Sequence, residues 1–133
     1  MKNLKLKHYE KGYIYVGAQY KRLKNGCFKI GQTARSTKVR ESEIKKYENS
    51  AFKMLGSLEV PDATSPLLEA IESLVRVKLA NDERYTWTKH DHFNYNVQDR
   101  QQDLNDITEN ALNIAQKAYE WLMNEWLKDE YIG

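Results

Sequence analysis

Polar and apolar positions alternate most clearly in two short runs near the N-terminus. Gly12-Tyr13-Ile14-Tyr15-Val16 and Cys27-Phe28-Lys29-Ile30-Gly31 are rich in β-branched and aromatic residues. Between them, Lys24-Asn25-Gly26 carries an Asn-Gly pair, a strong signal for a short hairpin turn. The pattern predicts two antiparallel strands, with Tyr15 and Lys29 in neighbouring ones. Strict alternation would turn Phe28 and Ile30 to one face and Lys29 to the other. Met1 to Lys11, ahead of the hairpin, is a basic lead-in with weak alternation.

The period then changes from two to 3.6. Ser36 or Thr37 can cap a helix reaching about Glu48, with Val39, Ile44 and Tyr47 on its inward face and Arg40 inside the same arc. An inward arginine is costly unless an anion meets it. Glu43, three residues on, is one such partner, and a bound phosphate is the other. Phe52 to Val60 reads as a third strand, ended by Pro61. Ser65-Pro66 opens a helix from Leu67 to about Ala80, burying Leu67, Leu68, Ile71, Leu74, Val75 and Leu79. Glu72 stands at the edge of this apolar arc, where it can serve as a metal ligand or pair with Arg76 one turn on. Asn81 to Arg100 reads as irregular and aromatic. From about Gln101 to Lys128 a long helix carries Leu104, Ile107, Ala111, Ile114, Ala118, Tyr119, Leu122 and Trp126 at near-heptad spacing. That stripe predicts packing on the sheet or on a second copy, a homodimer in the latter case.

The expected fold is therefore α+β: a small, mostly antiparallel three-stranded sheet flanked by helices, with a long C-terminal helix. A chain of 133 residues has room for one modest core. No stretch approaches the roughly 20 apolar residues of a membrane span, and lysines interrupt any N-terminal signal-like run. The lone Cys27 forms no internal disulfide, so a cytoplasmic setting is expected, with the thiol buried in a strand. Charge sharpens the picture. Residues 1–60 hold 14 Lys/Arg against 5 Asp/Glu, a balance of +9, and residues 61–133 hold 7 against 14, a balance of −7. A polyanion partner would meet the N-terminal half, where Lys21, Arg22 and Lys24 crowd the hairpin tip.

The two triplets Tyr13-Ile14-Tyr15 and Lys29-Ile30-Gly31, the latter with lysine in place of a tyrosine, resemble the GIY-YIG nuclease family, in particular its single-domain phage-type and restriction-enzyme-like members. The resemblance covers about residues 12 to 97. It implies a nuclease domain over residues 1–100, with residues 101–133 as a helical extension. The implied activity is metal-dependent endonuclease cleavage of a DNA phosphodiester. Tyr15 would act as base or orient the attacking water, Tyr13 would support it, and Lys29 would add positive charge beside them. Arg40, nine residues after Gly31, would hold the phosphate, and Glu72 would bind Mg²⁺ or Mn²⁺. Asn96, in Tyr95-Asn96-Val97, resembles a further site asparagine of the family. Ile44 stands where the family often has a tyrosine, and Tyr47, a helical turn further along, can compensate. His90 and His92 have a spacing that can ligate metal from one strand face, but without further ligands they read more simply as surface residues.

Two other readings account for the same residues without cleavage. A non-catalytic nucleic-acid-binding module that kept the fold explains the basic half and the altered second triplet. A protein-interaction domain would act through the acidic C-terminal helix.

Overall fold

A computed structural model describes residues 8–19, 27–48, 51–89, 92–95 and 100–132. Its elements in chain order are β1 (His8–Gln19), β2 (Cys27–Thr33), α1 (Thr37–Glu48), β3 (Phe52–Thr64), α2 (Ser65–Ala80), β4 (Tyr85–Lys89), β5 (His92–Tyr95) and α3 (Arg100–Ile132). The α+β class is the one expected, but among the described residues the sheet has five strands rather than three, all antiparallel, in the order β3-β1-β2-β5-β4.

The two additional strands come from the stretch read as irregular. At five and four residues they are too short to show a period, and their order comes from what they pack against. Phe93 is fully buried and stacks on Phe28 with ring centroids 5.9 Å apart, while Tyr85 meets Phe28 edge-on at 5.8 Å. Asn110 Nδ2 of α3 donates to the Tyr85 hydroxyl at 2.9 Å, tying β4 to the long helix. Burial of that phenol pushes its pKa up, so it stays protonated and able to hydrogen-bond.

Pro61 does not end β3, which continues to Thr64 with Pro61 in register with Lys11 of β1. Because β3 is an edge strand, a residue without an N–H is tolerated there. The next residue, Asp62, sits at φ 48°, a left-handed kink after which Ala63 re-enters the core. Thr64 then caps α2, its Oγ1 accepting from the Leu67 amide at 3.3 Å, with Pro66 in the first turn.

One face of the sheet carries the main core. Ile14, Val16, Phe28, Ile30 and Val60 project to it and are covered by Leu67, Leu68, Ile71, Val75 and Leu79 of α2 and by Ile107, Ala111, Ala115, Ala118 and Leu122 of α3. The long helix thus packs on the sheet through its apolar stripe. Leu74, expected in the core, is only partly buried. With Lys78, Ile114, Lys117, Ala118 and Trp121 it lines an apolar groove of about 440 Å³ between α2 and α3. The side chains of Leu104 and Trp126 lie outside the described residues.

Candidate nucleic-acid interface

The opposite face is built differently. Tyr13, Tyr15 and Gly17 of β1 pair with Thr33, Gly31 and Lys29 of β2, and directly paired residues share a face. Lys29 therefore lies on the side of Tyr15, while Phe28 and Ile30 enter the core. Tyr15 and Lys29 are diagonal neighbours, about 7–8 Å apart in a regular sheet.

Two glycines make this face possible. A Cβ on Gly31 would collide with Tyr15 Cζ and Oη, so the phenol lies flat across β2 only because position 31 has no side chain. A Cβ on Gly17 would likewise collide with the Phe52 ring. Phe52 reaches that place through a β-bulge: Val16 pairs with Gly56 but Gly17 pairs with Met54. The extra residue in β3 turns Met54 and Phe52 to the Tyr15 side, where they join Ile44 in a second, small cluster.

Ile44 belongs to α1, which roofs this end of the face. Ser36 caps the helix, its Oγ accepting from the Val39 amide at 3.3 Å. Val39 is 44% exposed, contrary to the inward position expected of it. It lies about 140° around the helix from Ile44, and the inward arc is filled by Thr37, Arg40 and Glu41 instead. Glu41 accepts from the backbone amide of Met54 at 2.8 Å, capping the edge strand at its bulge, and from Lys45 Nζ at 3.3 Å. The Met54 amide, helped by Lys45, holds the Glu41 carboxyl below its ordinary pKa.

Arg40 is half-buried, with its Nε fully covered. Glu43, the carboxylate weighed as its partner, is engaged by Arg35 Nη1 at 2.9 Å. Tyr15, Lys29 and the helix bearing Arg40 thus meet on one face. Tyr15 is only 1% exposed beneath Ile44 and Phe52, whereas Tyr13, two residues back on the same face, is half-buried.

Glu72 stands on α2, the helix that covers the other face. The residue is buried at 8% exposure, with Arg76 Nη2 3.7 Å from its carboxylate. Leu68, one turn earlier, lies against Gly12, beside the strand ends where β2 gives way to α1. Glu72, about 6 Å further along the same helix, thus belongs to the helical layer and does not project from the Tyr15 face. No cluster of three or more His, Cys, Asp or Glu suited to a metal occurs among the described residues. One carboxylate is the minimum for Mg²⁺, which keeps most of its waters and takes substrate phosphate oxygens as further ligands. The donor set fits a cation that arrives with its phosphate, not a preformed protein cage.

Sequence reasoning undervalued one residue on this face. His92 of β5 pairs directly with Lys29, so it faces the Tyr15 side. Its spacing from His90 reads as that of a surface histidine, but the informative relation is its register with β2, which a short run of four residues does not reveal. Asn96, His90, the Lys24–Gly26 turn and the basic tip at Lys21, Arg22 and Lys24 lie outside the described residues, as does the side chain of Tyr47.

A one-sided antiparallel sheet, with helices sealing one face and a glycine-floored, partly covered face on the other, defines a small α+β domain. The chain belongs to the T5orf172 domain family, whose model matches residues 12–123; this is a phage-associated domain found in some nuclease-like proteins. The match takes in most of α3, consistent with that helix's place in the core. No curated protein and no solved structure matches the chain. Among the described residues, no helix is long and apolar enough to cross a membrane.

Proposed function

We propose that this protein is a metal-dependent endonuclease of GIY-YIG type acting on DNA. The observation that carries the reading is the meeting of Tyr15, Lys29 and the helix of Arg40 on the one sheet face not sealed by α2 and α3. Membership in a family found in nuclease-like proteins supports it, as does the excess of positive charge in residues 1–60.

In this reading Arg40 and Lys29 neutralise and orient the phosphodiester, the guanidinium by paired hydrogen bonds and the ammonium as a point charge. A base must touch the water it deprotonates, and Tyr15 is buried. Its role is to hold the floor of the site over Gly31, while Tyr13, the more accessible phenol, orients the water. Glu72 would hold Mg²⁺ or Mn²⁺, which supplies Lewis-acid stabilisation of charge on the phosphate and the leaving oxygen. The family resemblance would add Asn96 to this set.

Nicking of supercoiled plasmid tests the proposal. The wild-type protein should nick in Mg²⁺ and not in EDTA. Glu72→Gln should lose at least about 100-fold in rate while binding DNA within a few-fold of wild type. The burial of Tyr15 is the observation favouring a second reading, a binding module without cleavage. Wild-type protein that binds DNA in a salt-sensitive way but leaves plasmid intact with Mg²⁺ or Mn²⁺ would establish that alternative.

A further inference from the structure

We propose that β5 widens the DNA-binding face by one strand and that His92 is a phosphate contact on it. The inference rests on the nucleic-acid reading above but not on cleavage.

Register carries it. Lys29 of β2 is paired with His92, and His92 is paired with Lys89 of β4. With Gly17 opposite Lys29, one row across four strands reads Gly17, Lys29, His92, Lys89, three basic positions and no acidic one. At about 4.8 Å per strand, the basic positions span about 10 Å. The row depends on a bulge. Trp87 pairs with Phe93, and regular pairing would set Thr88 opposite His92; the irregularity between Trp87 and Lys89 brings the lysine position there instead. Thr88 Oγ1 donates to the His92 carbonyl at 3.1 Å, securing this local geometry.

The orientation of His92 is fixed by its neighbour. Phe93 is locked in the core against Phe28, so alternation holds His92 on the opposite face. Lys29 and His92, with Gln19, Cys27 and Phe52, also line one narrow recess. Lys29 from β2 thus stands in the same recess as the imidazole, with Gln19, Cys27 and Phe52. A second cation beside Lys29 is repulsive by itself and becomes favourable when a phosphate lies between them. Histidine makes that contact strongest where its ring is protonated.

The test is the salt dependence of binding to a fluorescent DNA duplex in EDTA, using the full chain at pH 6.0 and pH 8.0. For wild type, the slope of log Kobs against log salt should be steeper at pH 6.0 by about 0.9, one phosphate contact. His92→Gln should give one slope at both pH values, and His92→Lys should give the steeper slope at both. Unchanged wild-type slopes would overturn the proposal. So would a His92→Gln protein that keeps the full pH difference, which would assign it to His8 or His90. If His92→Gln fails to fold, His92→Lys decides alone, since a pH-dependent slope in that variant excludes the role. Wild type that shows the predicted slopes but never nicks plasmid defeats the nuclease reading and leaves this one standing. A nicking enzyme with pH-independent slopes does the reverse.

Discussion

The two faces of the sheet are made from the same five strands and follow opposite rules. One is aliphatic and aromatic, and is covered along its length by α2 and α3. The other carries Tyr13, Lys29, Thr33 and His92, has glycine at 17 and 31, and is roofed only at one end by Ile44, Phe52 and Met54. Large side chains fill space on the first face, while on the second two aromatic rings lie where large side chains are missing. The first face resists unfolding, and the second leaves Tyr13, Lys29 and His92 partly open to solvent. A β-strand joins the two functions in one element because each alternate residue answers to a different neighbour.

Three substitutions sharpen that division, taken from the largest effect to the smallest. Leu79→Ala, in the core, should cost about 2–5 kcal/mol in urea unfolding. The DNA affinity of the molecules that remain folded should be nearly unchanged. Gly31→Ala should cost about 1–3 kcal/mol, because the new methyl must displace the Tyr15 ring. Unlike the first variant, it should also weaken the site, since Tyr15 and its roof must move. Equal DNA affinity in folded Gly31→Ala and wild type would show that the floor does not shape the interface.

Glu41→Gln tests the roof and should cost about 1 kcal/mol at neutral pH, through the weakened acceptor for the Met54 amide. Its carboxyl has a folded-state pKa below the ordinary 4.5, so its stabilisation is present above that value and fades as pH falls through the depressed one. Wild type should therefore lose more stability than Glu41→Gln between pH 5 and about pH 3. Parallel curves would show that this carboxylate does not secure α1 to β3.

The parts of this fold that depend on local pattern are legible in the chain. The β1–β2 pair and the side to which Lys29 turns follow from alternation, and the apolar arc of α2 with Glu72 at its margin follows from helical period. What the pattern hides is set by distant neighbours. Pro61 reads as a stop because edge position is a property of the sheet, not of residue 61. Gly56 marks the bulge opposite Val16–Gly17, but not that it redirects Phe52, and Glu41 meets Met54 across 13 residues of sequence. Strands β4 and β5 are ordered by Phe28, far upstream, and with them goes the placement of His92. The site is legible to the extent that it lies on the hairpin. The burial of Tyr15 is not, because the residues that cover it come from α1 and β3.

DNA should meet the sheet on the Lys29 side and not at the groove between α2 and α3. Backbone amide shifts of the full chain, followed while a short DNA duplex is added without metal, test it directly. Changes are expected at Tyr13, Gly17, Lys29, Gly31, Thr33 and His92, with the amides of Leu74, Ile114, Ala118 and Trp121 unmoved. Changes centred on that α2–α3 groove, with β2 silent, would contradict it.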